Sequence, residues 1–328
     1  MTVKSGVFAL TPQTSLVIGR TQRADLQKVA AYFQAKINRA TGYDLAIKNS
    51  GNHNCISLQI DRSLKLGDEG YRLSVTPKRV QVKARTPQGL FYGMQSVMQL
   101  LPPQIESEQP VDGIEWTMPC VEIGDEPAYG YRGMMLDIAR NFTRKADLFR
   151  LIDLLASYKI NTFHFHFSDD EAWRLEIPGL EELTSVGSRR GFTRDESQCL
   201  YPNYYGGWDP ADTTATANGY YTRQDFIDLL KYAAQRHITV IPEIESPGHA
   251  RAAIVAMRAR YNKLKDSNMK KAREYLLSET NDTSKYVSAQ AYTDNIMNVS
   301  LPSVYRFMEK VSDEIIAMYR EAGVPLAA

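Results

Sequence analysis

The chain has 328 residues, of which 43% are hydrophobic and 23% are charged, and this length predicts two domains of ordinary soluble composition. Lysine and arginine minus aspartate and glutamate gives 39 − 38 = +1, so no strong field attracts nucleic acid or a membrane surface. No apolar run approaches the ~18 residues of a membrane-spanning helix. Cys55, Cys120 and Cys199 are widely separated and show no CxxC spacing, which predicts buried thiols and neither a disulfide framework nor a zinc site.

The first third of the chain predicts a small α+β unit. Its opening residues 1–16 lack the apolar core of a secretory signal. A helix is predicted from Thr21 to a cap at Gly42, with one apolar face. Alternating runs at 56–60, 71–75 and 80–84 predict strands, and a second helix after Gly89 ends at Pro102 and Pro103. We interpret residues 1–126 as a structural companion domain that ends in a loose polar segment, 104–126.

From Tyr131 onward, strands alternate with long amphipathic helices. Strands are predicted at 132–137, 160–168 and 238–241, and helices at 145–158, 222–236 and 302–322. This order predicts a parallel sheet, and the (β/α)8 TIM barrel is its commonest large form. The predicted fold class is therefore α/β, with a small N-terminal α+β domain over 1–126 and an incomplete (β/α)8 TIM barrel over 127–328.

Polar side chains follow each predicted barrel strand, where barrel enzymes carry their chemistry. They are Asp137 and Arg140 after the first strand, Asp169 and Asp170 after the second, and Glu243, Glu245 and His249 after the third. This grouping indicates a site at the carboxyl ends of the strands.

The stretch HFHFSDD, residues 164–170, allows two interpretations. Phenylalanines at 163, 165 and 167 share one face of the strand and His164 and His166 the other, so the phenylalanines should meet the helices and the histidines should point inward. The two histidines could be metal ligands, with His249 as the remaining candidate, or a packed and hydrogen-bonded pair. The second interpretation is favoured because further ligands are scarce.

Two other residues suggest chemistry of their own. The turn at Pro247-Gly248 should bring His249 within hydrogen-bond reach of Asp169, a contact that raises a histidine pKa. Arg132, beside Gly133, is either a surface arginine or a guanidinium fork that holds two neighbouring hydroxyls.

Longer segments carry a specific resemblance. The run YRGMMLDIARNFTRKADLFRLIDLLASYKINTFHFHFSDDEAWRLEIPGL, then SVGSRRG and YYTRQDFIDLLKYAAQRHITVIPEIESPGHA, resembles the family 20 glycoside hydrolases, the β-N-acetylhexosaminidases. The segment LGDEGYRLSVTPKRVQVKARTPQGLFYGMQSVMQLL resembles the N-terminal domain of the same family. The resemblance covers almost the whole chain, in order.

The resemblance implies a retaining exo-glycosidase that removes terminal β-linked N-acetylglucosamine or N-acetylgalactosamine without metal or cofactor, through attack by the sugar's own 2-acetamido oxygen. It implies that Arg132 binds the 3- and 4-hydroxyls and that Asp169 and His249 form a relay toward the general acid. Asp170 and Glu245 are further substrate-binding candidates, although the family often has Asp at the position of Glu245. Export to the periplasm or the exterior is also implied.

One departure limits these expectations. The family's acid Glu and acetamido-orienting Asp belong to an H-x-G-G-D-E motif after the helix at 302–322, and residues 1–328 contain no such motif. We therefore expect the chain alone to be inert. An open barrel should leave a free strand edge near 238–246 or 324–328, expose Phe307, Val311 and Ile315, and promote self-association. The alternatives are a non-catalytic carbohydrate-binding protein and, with His164 and His166 as ligands, a metal-dependent hydrolase.

Overall fold

A computed structural model describes residues 1–19 and 23–326, which divide into two compact units. The first unit comprises Met1–Arg132 with Ala156–Lys159, and the second comprises Gly133–Leu155 with the chain from Ile160 onward. Each unit has its own sheet.

The first unit contains a mixed sheet of seven strands among the described residues, in the order β1-β7-β5-β6-β4-β2-β3. The bounds are β1 Thr2–Ala9, β2 Ser15–Ile18, β3 Ala46–Lys48, β4 Cys55–Ile60, β5 Tyr71–Val75, β6 Arg79–Ala84 and β7 Thr117–Asp125. Strands β2, β3, β4 and β6 pair in parallel, whereas β1, β7 and β5 pair antiparallel.

Helices α1 (Arg23–Thr41) and α2 (Pro87–Leu100) pack on this sheet and on each other. Thr86 caps α2 by accepting the backbone N–H of Gly89, and Pro87 occupies the first turn, where its missing N–H costs nothing. Gly93 is required by close approach, because a Cβ there would lie 2.4 Å from Val82 Cγ1. A 3₁₀ turn follows at Pro103–Glu106.

The helices and strands predicted in this unit are present, and the three cysteines are buried and free. The start predicted at Thr21 lies outside the described residues. The prediction of a loose segment at 104–126 was wrong, because β7 is nine residues long and lies between β1 and β5. Pro119, which is unusual inside a paired strand, disguised the alternation that buries Met118 and Cys120.

The second unit is built on three parallel strands in the order β10-β9-β8. They are β8 Gly133–Asp137, β9 Thr162–His166 and β10 Thr239–Glu243, and they alternate with helices. The helices are α3 Lys145–Ser157, α4 Glu182–Ser185, α5 Arg223–Ala234, α6 Arg251–Leu264, α7 Met269–Arg273 and α8 Pro302–Ala322. A capping box between Thr222 and Asp225 fixes the start of α5.

The phenylalanine face of β9 forms the core of this unit, as the alternation predicted. Phe163, Phe165 and Phe167 have no exposed surface, and Phe165 stacks on Phe226 of α5. The prediction that α8 exposes its apolar face was wrong. Phe307, Val311 and Ile315 are at most 3% exposed, because α8 packs against α5 and Phe307 meets the ring of Trp173 edge-on.

Within the described residues, β8 and β10 are the edges of the three-stranded sheet, so the edge expected near 238–246 is present. The apolar side chains exposed at an edge belong to β8, where Met134 and Met135 are 42% and 51% exposed. Residues 324–326 form no strand, and 327–328 lie outside the described residues. No helix in the described part of the chain has both the length and the apolar character that crossing a bilayer requires.

Candidate active site

The carboxyl ends of the three parallel strands carry a row of ionisable side chains. The register pairs Asp137 with His166 and His166 with Glu243, so the three side chains project to the same side of the sheet. His166 Nδ1 lies 2.8 Å from Glu243 Oε2, and His166 Nε2 lies 4.0 Å from Asp137 Oδ1. Strand pairing therefore assembles the first layer of the site.

Asp169 is the centre of the cluster, and its side chain is only 2% exposed. Its Oδ2 lies 2.9 Å from both His166 Nε2 and Arg140 Nη2. Its Oδ1 accepts the backbone N–H of Asp170 and lies 3.2 Å from His249 Nδ1, which places His249 within the predicted reach. Burial alone would raise the pKa of Asp169, but the hydrogen bonds from His166 and from the Asp170 N–H, with the charge of Arg140, lower it.

His166 is the histidine that these carboxylates hold charged. Burial alone would lower its pKa, but the hydrogen bond to Asp169, the Glu243 carboxylate beside it and the charge of Asp137 raise the pKa of His166 to about 9. The imidazolium is therefore the neutral-pH form. His249 is more accessible, with a side chain 39% exposed, and its backbone has a φ of 51°. A non-glycine residue in this left-handed region indicates a conformation imposed by the surrounding turn.

Arg140 supplies the guanidinium of the cluster. It donates to Asp137 Oδ2 at 2.8 Å and to Glu171 Oε2 at 2.9 Å, in addition to its contact with Asp169. Its side chain remains 21% exposed, so part of it faces the open side of the cluster. Burial opposes the charge, but the Asp137 hydrogen bond and the neighbouring carboxylates raise the pKa of Arg140.

The structure does not bring Arg132 into this cluster. Arg132 directly precedes Gly133, so it lies at the amino end of β8, and the five residues of that strand separate it from Asp137 by about 16 Å. Its guanidinium donates to Glu69 at 2.7 Å and to the carbonyl oxygens of Tyr129 and Lys159. The residue to which the resemblance assigned sugar binding therefore lies at the amino end of β8, whereas Arg140 follows its carboxyl end.

Asp170 and Glu245 occupy different positions around Asp169. Asp170 is 1% exposed, and its oxygens accept the backbone N–H of Arg251 and the side-chain amide of Asn295, while Oδ2 lies 3.5 Å from His249. Asp170 therefore anchors the start of α6 and the turn that carries His249. Burial raises the pKa of Asp170, an effect that the hydrogen bond from Asn295 opposes and the charge of Asp169 reinforces.

Glu243 and Glu245 are neighbouring carboxylates whose pKa values are shifted in opposite directions. Burial, the hydrogen bond to Glu243 and the charge of Asp169 raise the pKa of Glu245. The pKa of Glu243 is lowered in spite of burial, because the His166 ring lies beside it, with Nδ1 2.8 Å from Glu243 Oε2. Of the two carboxylates, Glu245 is therefore the one that binds a proton more readily, and its side chain is 24% exposed.

Two groups of potential metal ligands lie in the described part of the chain. His166, Asp169 and Glu245 form one, and Asp169, Asp170 and His249 form the other, each with ligand atoms within 4.8 Å. Neither contains His164, whose Nε2 lies 2.7 Å from Glu243 Oε2. Asp169, which both groups share, is already bound to Arg140 and His166, so its oxygens face cationic partners of the protein itself.

Two fully buried arginines, which the sequence analysis missed, frame the cluster. Arg174 donates to backbone carbonyls, among them Ile138 and Ala139 at 2.9–3.0 Å, and so fixes the turn before Arg140. Arg190 donates to the carbonyl oxygens of Arg140 and Glu171. The available signal was Arg174 inside the otherwise apolar run Ala-Trp-Arg-Leu, where a charge requires an internal partner.

The sequence and the fold match a known family of glycoside hydrolases. The family model described as glycosyl hydrolase family 20, catalytic domain, matches residues 129–325, and the model for domain 2 of that family matches residues 1–126. The chain belongs to glycosyl hydrolase family 20, and its fold is the α/β type of that family, an N-terminal domain followed by a barrel-like α/β domain.

Individual relatives make the comparison more specific. The chain is 42% identical over 272 residues to a beta-hexosaminidase of Vibrio vulnificus, covering 83% of this chain and 30% of the relative. It is 41% identical over 258 residues to the N,N'-diacetylchitobiase of Vibrio harveyi, covering 78% of this chain and 28% of that protein. The chain thus spans about a third of the length of these relatives.

Solved structures give the same result. A GH20 exo beta-N-acetylglucosaminidase of Vibrio harveyi, in complex with N-acetylglucosamine, superposes with a TM-score of 0.79 at 34% identity. That match covers 96% of this chain and 43% of the other. A Streptomyces plicatus beta-hexosaminidase mutant in complex with its product GlcNAc gives a TM-score of 0.73 at 29% identity, covering 97% of this chain and 55% of the other.

Proposed function

We propose that this chain binds the terminal β-linked N-acetylhexosamine of a glycan for a family 20 glycoside hydrolase reaction. The reaction removes N-acetylglucosamine or N-acetylgalactosamine from the non-reducing end with retention of configuration. Family membership supports the class of reaction, and the names of the relatives, beta-hexosaminidase and diacetylchitobiase, support the class of sugar.

The observation that carries the proposal is the arrangement around Asp169. A buried carboxylate touches Arg140, His166 and His249 at once, at the end of the sheet where barrel enzymes bind their substrates. Arg140 takes the role that the resemblance assigned to Arg132. Its guanidinium has several donors in a fixed fork, which suits two neighbouring sugar hydroxyls.

Asp169 and His249 form the supporting relay of the proposal. Asp169 stays ionised beside Arg140 and His166, so it can accept a hydrogen bond from His249 and fix the orientation of its ring. Asp170 contributes by anchoring the turn of His249, and Glu245 lies beside Glu243 with Oε1 3.8 Å from His166 Nδ1.

The reaction assigned by the proposal uses the substrate as its own nucleophile. The 2-acetamido oxygen attacks the anomeric carbon, the glycosidic oxygen leaves with a proton, and water opens the oxazolinium intermediate with the configuration retained. Because residues 1–328 contain no H-x-G-G-D-E motif, the proposal assigns sugar binding and the relay to this chain, and not proton donation.

Acetamido dependence is the test. The complete gene product that contains this chain should hydrolyse an aryl N-acetyl-β-glucosaminide, and the matched aryl β-glucoside should be at least about 100-fold slower because it lacks the attacking oxygen. Residues 1–328 alone should bind N-acetylglucosamine without turnover. Equal rates on both glycosides would contradict the substrate-assisted mechanism, and a gene product that only binds the sugar would favour the carbohydrate-binding alternative.

A further inference from the structure

An exposed aromatic surface lies on one loop of the second unit, and we call it the aromatic rim. It consists of Phe192, Tyr204, Tyr205 and Trp208. Phe192 and Trp208 are 76% and 65% exposed and stack with their ring centroids 5.7 Å apart. Tyr204 and Tyr205 are 71% and 38% exposed, with centroids 4.4 Å apart. Large aromatic side chains gathered in water usually mark a binding surface.

The loop is held in shape beneath these rings. Asn203 and Gly206 bridge each other through their backbones, and Asn203 Oδ1 accepts the N–H of Tyr205 at 2.9 Å. Gly207 has a φ of 104°, and a Cβ there would lie 2.4 Å from Arg190 Cβ. Gly207 therefore lets the backbone of the loop approach the buried Arg190 closely, and the rim is carried by a defined turn.

Two hydrogen-bonded connections join the rim to the Asp169 cluster. Arg190 Nη2 donates to the carbonyl oxygens of Tyr205 and Arg140, at 3.4 and 2.9 Å. Asn203 donates to the hydroxyl of Tyr292 at 3.4 Å, and that hydroxyl lies 3.5 Å from Glu171 Oε1. The rim therefore stands beside the side of the cluster that carries Arg140 and Glu171.

We infer that the aromatic rim is a second glycan-binding surface, which takes sugar rings other than the N-acetylhexosamine at the Asp169 cluster. A β-linked chain of pyranoses with equatorial substituents presents flat faces of C–H groups, and aromatic rings pack against such faces. The polar edges of the sugars stay in water. The inference rests on the proposed function for its choice of a glycan, and it adds the requirement for several sugar rings.

Tryptophan fluorescence provides a local test. Of the three tryptophans, Trp116 and Trp173 are at most 4% exposed, so changes in solvent exposure report on Trp208. Titrating this chain with the β-1,4-linked trimer of N-acetylglucosamine should shift the emission to shorter wavelength and protect it from acrylamide quenching. Monomeric N-acetylglucosamine should produce neither effect at the same concentration of sugar rings.

Variants separate the two sites. Tyr204→Ala should weaken trimer binding about tenfold and leave calorimetric binding of the monosaccharide unchanged. Arg140→Ala should do the opposite: monosaccharide binding is lost while the trimer still shifts the Trp208 emission. Tyr305→Ala, at a tyrosine of α8 that is 64% exposed, is the matched control and should change neither.

The outcomes are distinguishable. The inference is wrong if the trimer leaves the Trp208 emission unchanged. It is also wrong if the trimer binds Tyr204→Ala as tightly as the unmodified chain while that variant keeps its melting temperature. Trp208→Ala, read by calorimetry, gives a second check that does not depend on fluorescence. If Arg140→Ala still binds the monosaccharide, the proposed sugar site at the Asp169 cluster is wrong, and the inference about the aromatic rim is unaffected.

Discussion

Two networks of charged side chains in the molecule differ in their ratio of carboxylates to cations. The amino-end network, in the first unit, pairs Arg132 with Glu69 and Lys159 with Asp125. The Asp169 cluster, in the second unit, has more carboxylates than cations. Its acids are Asp137, Asp169, Asp170, Glu171, Glu243 and Glu245, around Arg140, His166 and His249.

This difference separates a structural network from a candidate site. In a balanced pair each charge is satisfied by its partner. In the Asp169 cluster the pKa values of neighbouring groups are shifted in opposite directions. Burial, reinforced by the charges of neighbouring carboxylates, raises the pKa of Asp170, Glu171 and Glu245, whereas hydrogen bonds from His166 and the Asp170 N–H lower the pKa of Asp169. Perturbed groups of this kind gather where proteins bind and react.

The largest expected effect follows from breaking the relay. In the complete gene product, His249→Ala should lower kcat on an aryl N-acetylglucosaminide about 100-fold and change KM much less, because the relay acts mainly in the transition state. Lys159→Ala in the amino-end network is the control and should leave kcat unchanged. Equal losses of kcat in the two variants would remove the distinction between the networks.

Breaking a balanced pair should cost stability instead. Glu69→Ala removes the carboxylate 2.7 Å from Arg132 and should lower the free energy of unfolding by about 1.5–3 kcal/mol. Urea denaturation measures this free energy. The control is Glu309→Ala, at an exposed position of α8, whose free energy of unfolding should stay within about 0.5 kcal/mol of the unmodified chain. A Glu69→Ala protein as stable as the control would show that the pair is not structural.

The raised pKa of His166 predicts a pH dependence. A histidine titrates near 6.5 when unfolded but near 9 here, so the native state keeps its proton across that window. The stabilisation is complete below about pH 6.5 and is lost as the pH rises through about 9, a loss on the order of 1–3 kcal/mol. Between these two pH values the free energy of unfolding should fall less steeply for His166→Gln than for the unmodified chain. Parallel pH curves for the two proteins would contradict the raised pKa of His166.

The smallest effect is a gain in stability. The pKa of Glu245 is raised by burial and by Glu243 and Asp169, so its charged form disfavours the folded state. Glu245→Gln should therefore raise the free energy of unfolding by about 0.5–1 kcal/mol at pH 7. The gain should disappear as the pH falls below about 4.3, the unfolded pKa of glutamate, because the carboxyl then becomes protonated in both states. Destabilisation at pH 7 would mean that the cluster does not carry excess negative charge.

Local patterns predicted much of the fold. The Phe-His alternation fixed which face of β9 packs on α5, and the strand ends placed Asp169 and His249 close together. The role of Arg132 came from the resemblance alone, and it conflicted with the predicted parallel strands, because Arg132 precedes β8 while the expected chemistry lies after the strands, where Arg140 is. The burial of Phe307 was missed because it depends on packing between α8 and α5, which are far apart in sequence.

Sugar binding by two arginine variants tests the central claim most directly. We place the N-acetylhexosamine at the carboxyl ends of the strands, beside Arg140, and Arg132 is a structural partner of Glu69. Calorimetry with N-acetylglucosamine should show affinity at least about tenfold weaker for Arg140→Ala, as expected when a charged donor is lost. Arg132→Ala should bind within about twofold of the unmodified chain, with a lower melting temperature. Weakened binding in Arg132→Ala together with unchanged binding in Arg140→Ala would contradict this placement of the sugar.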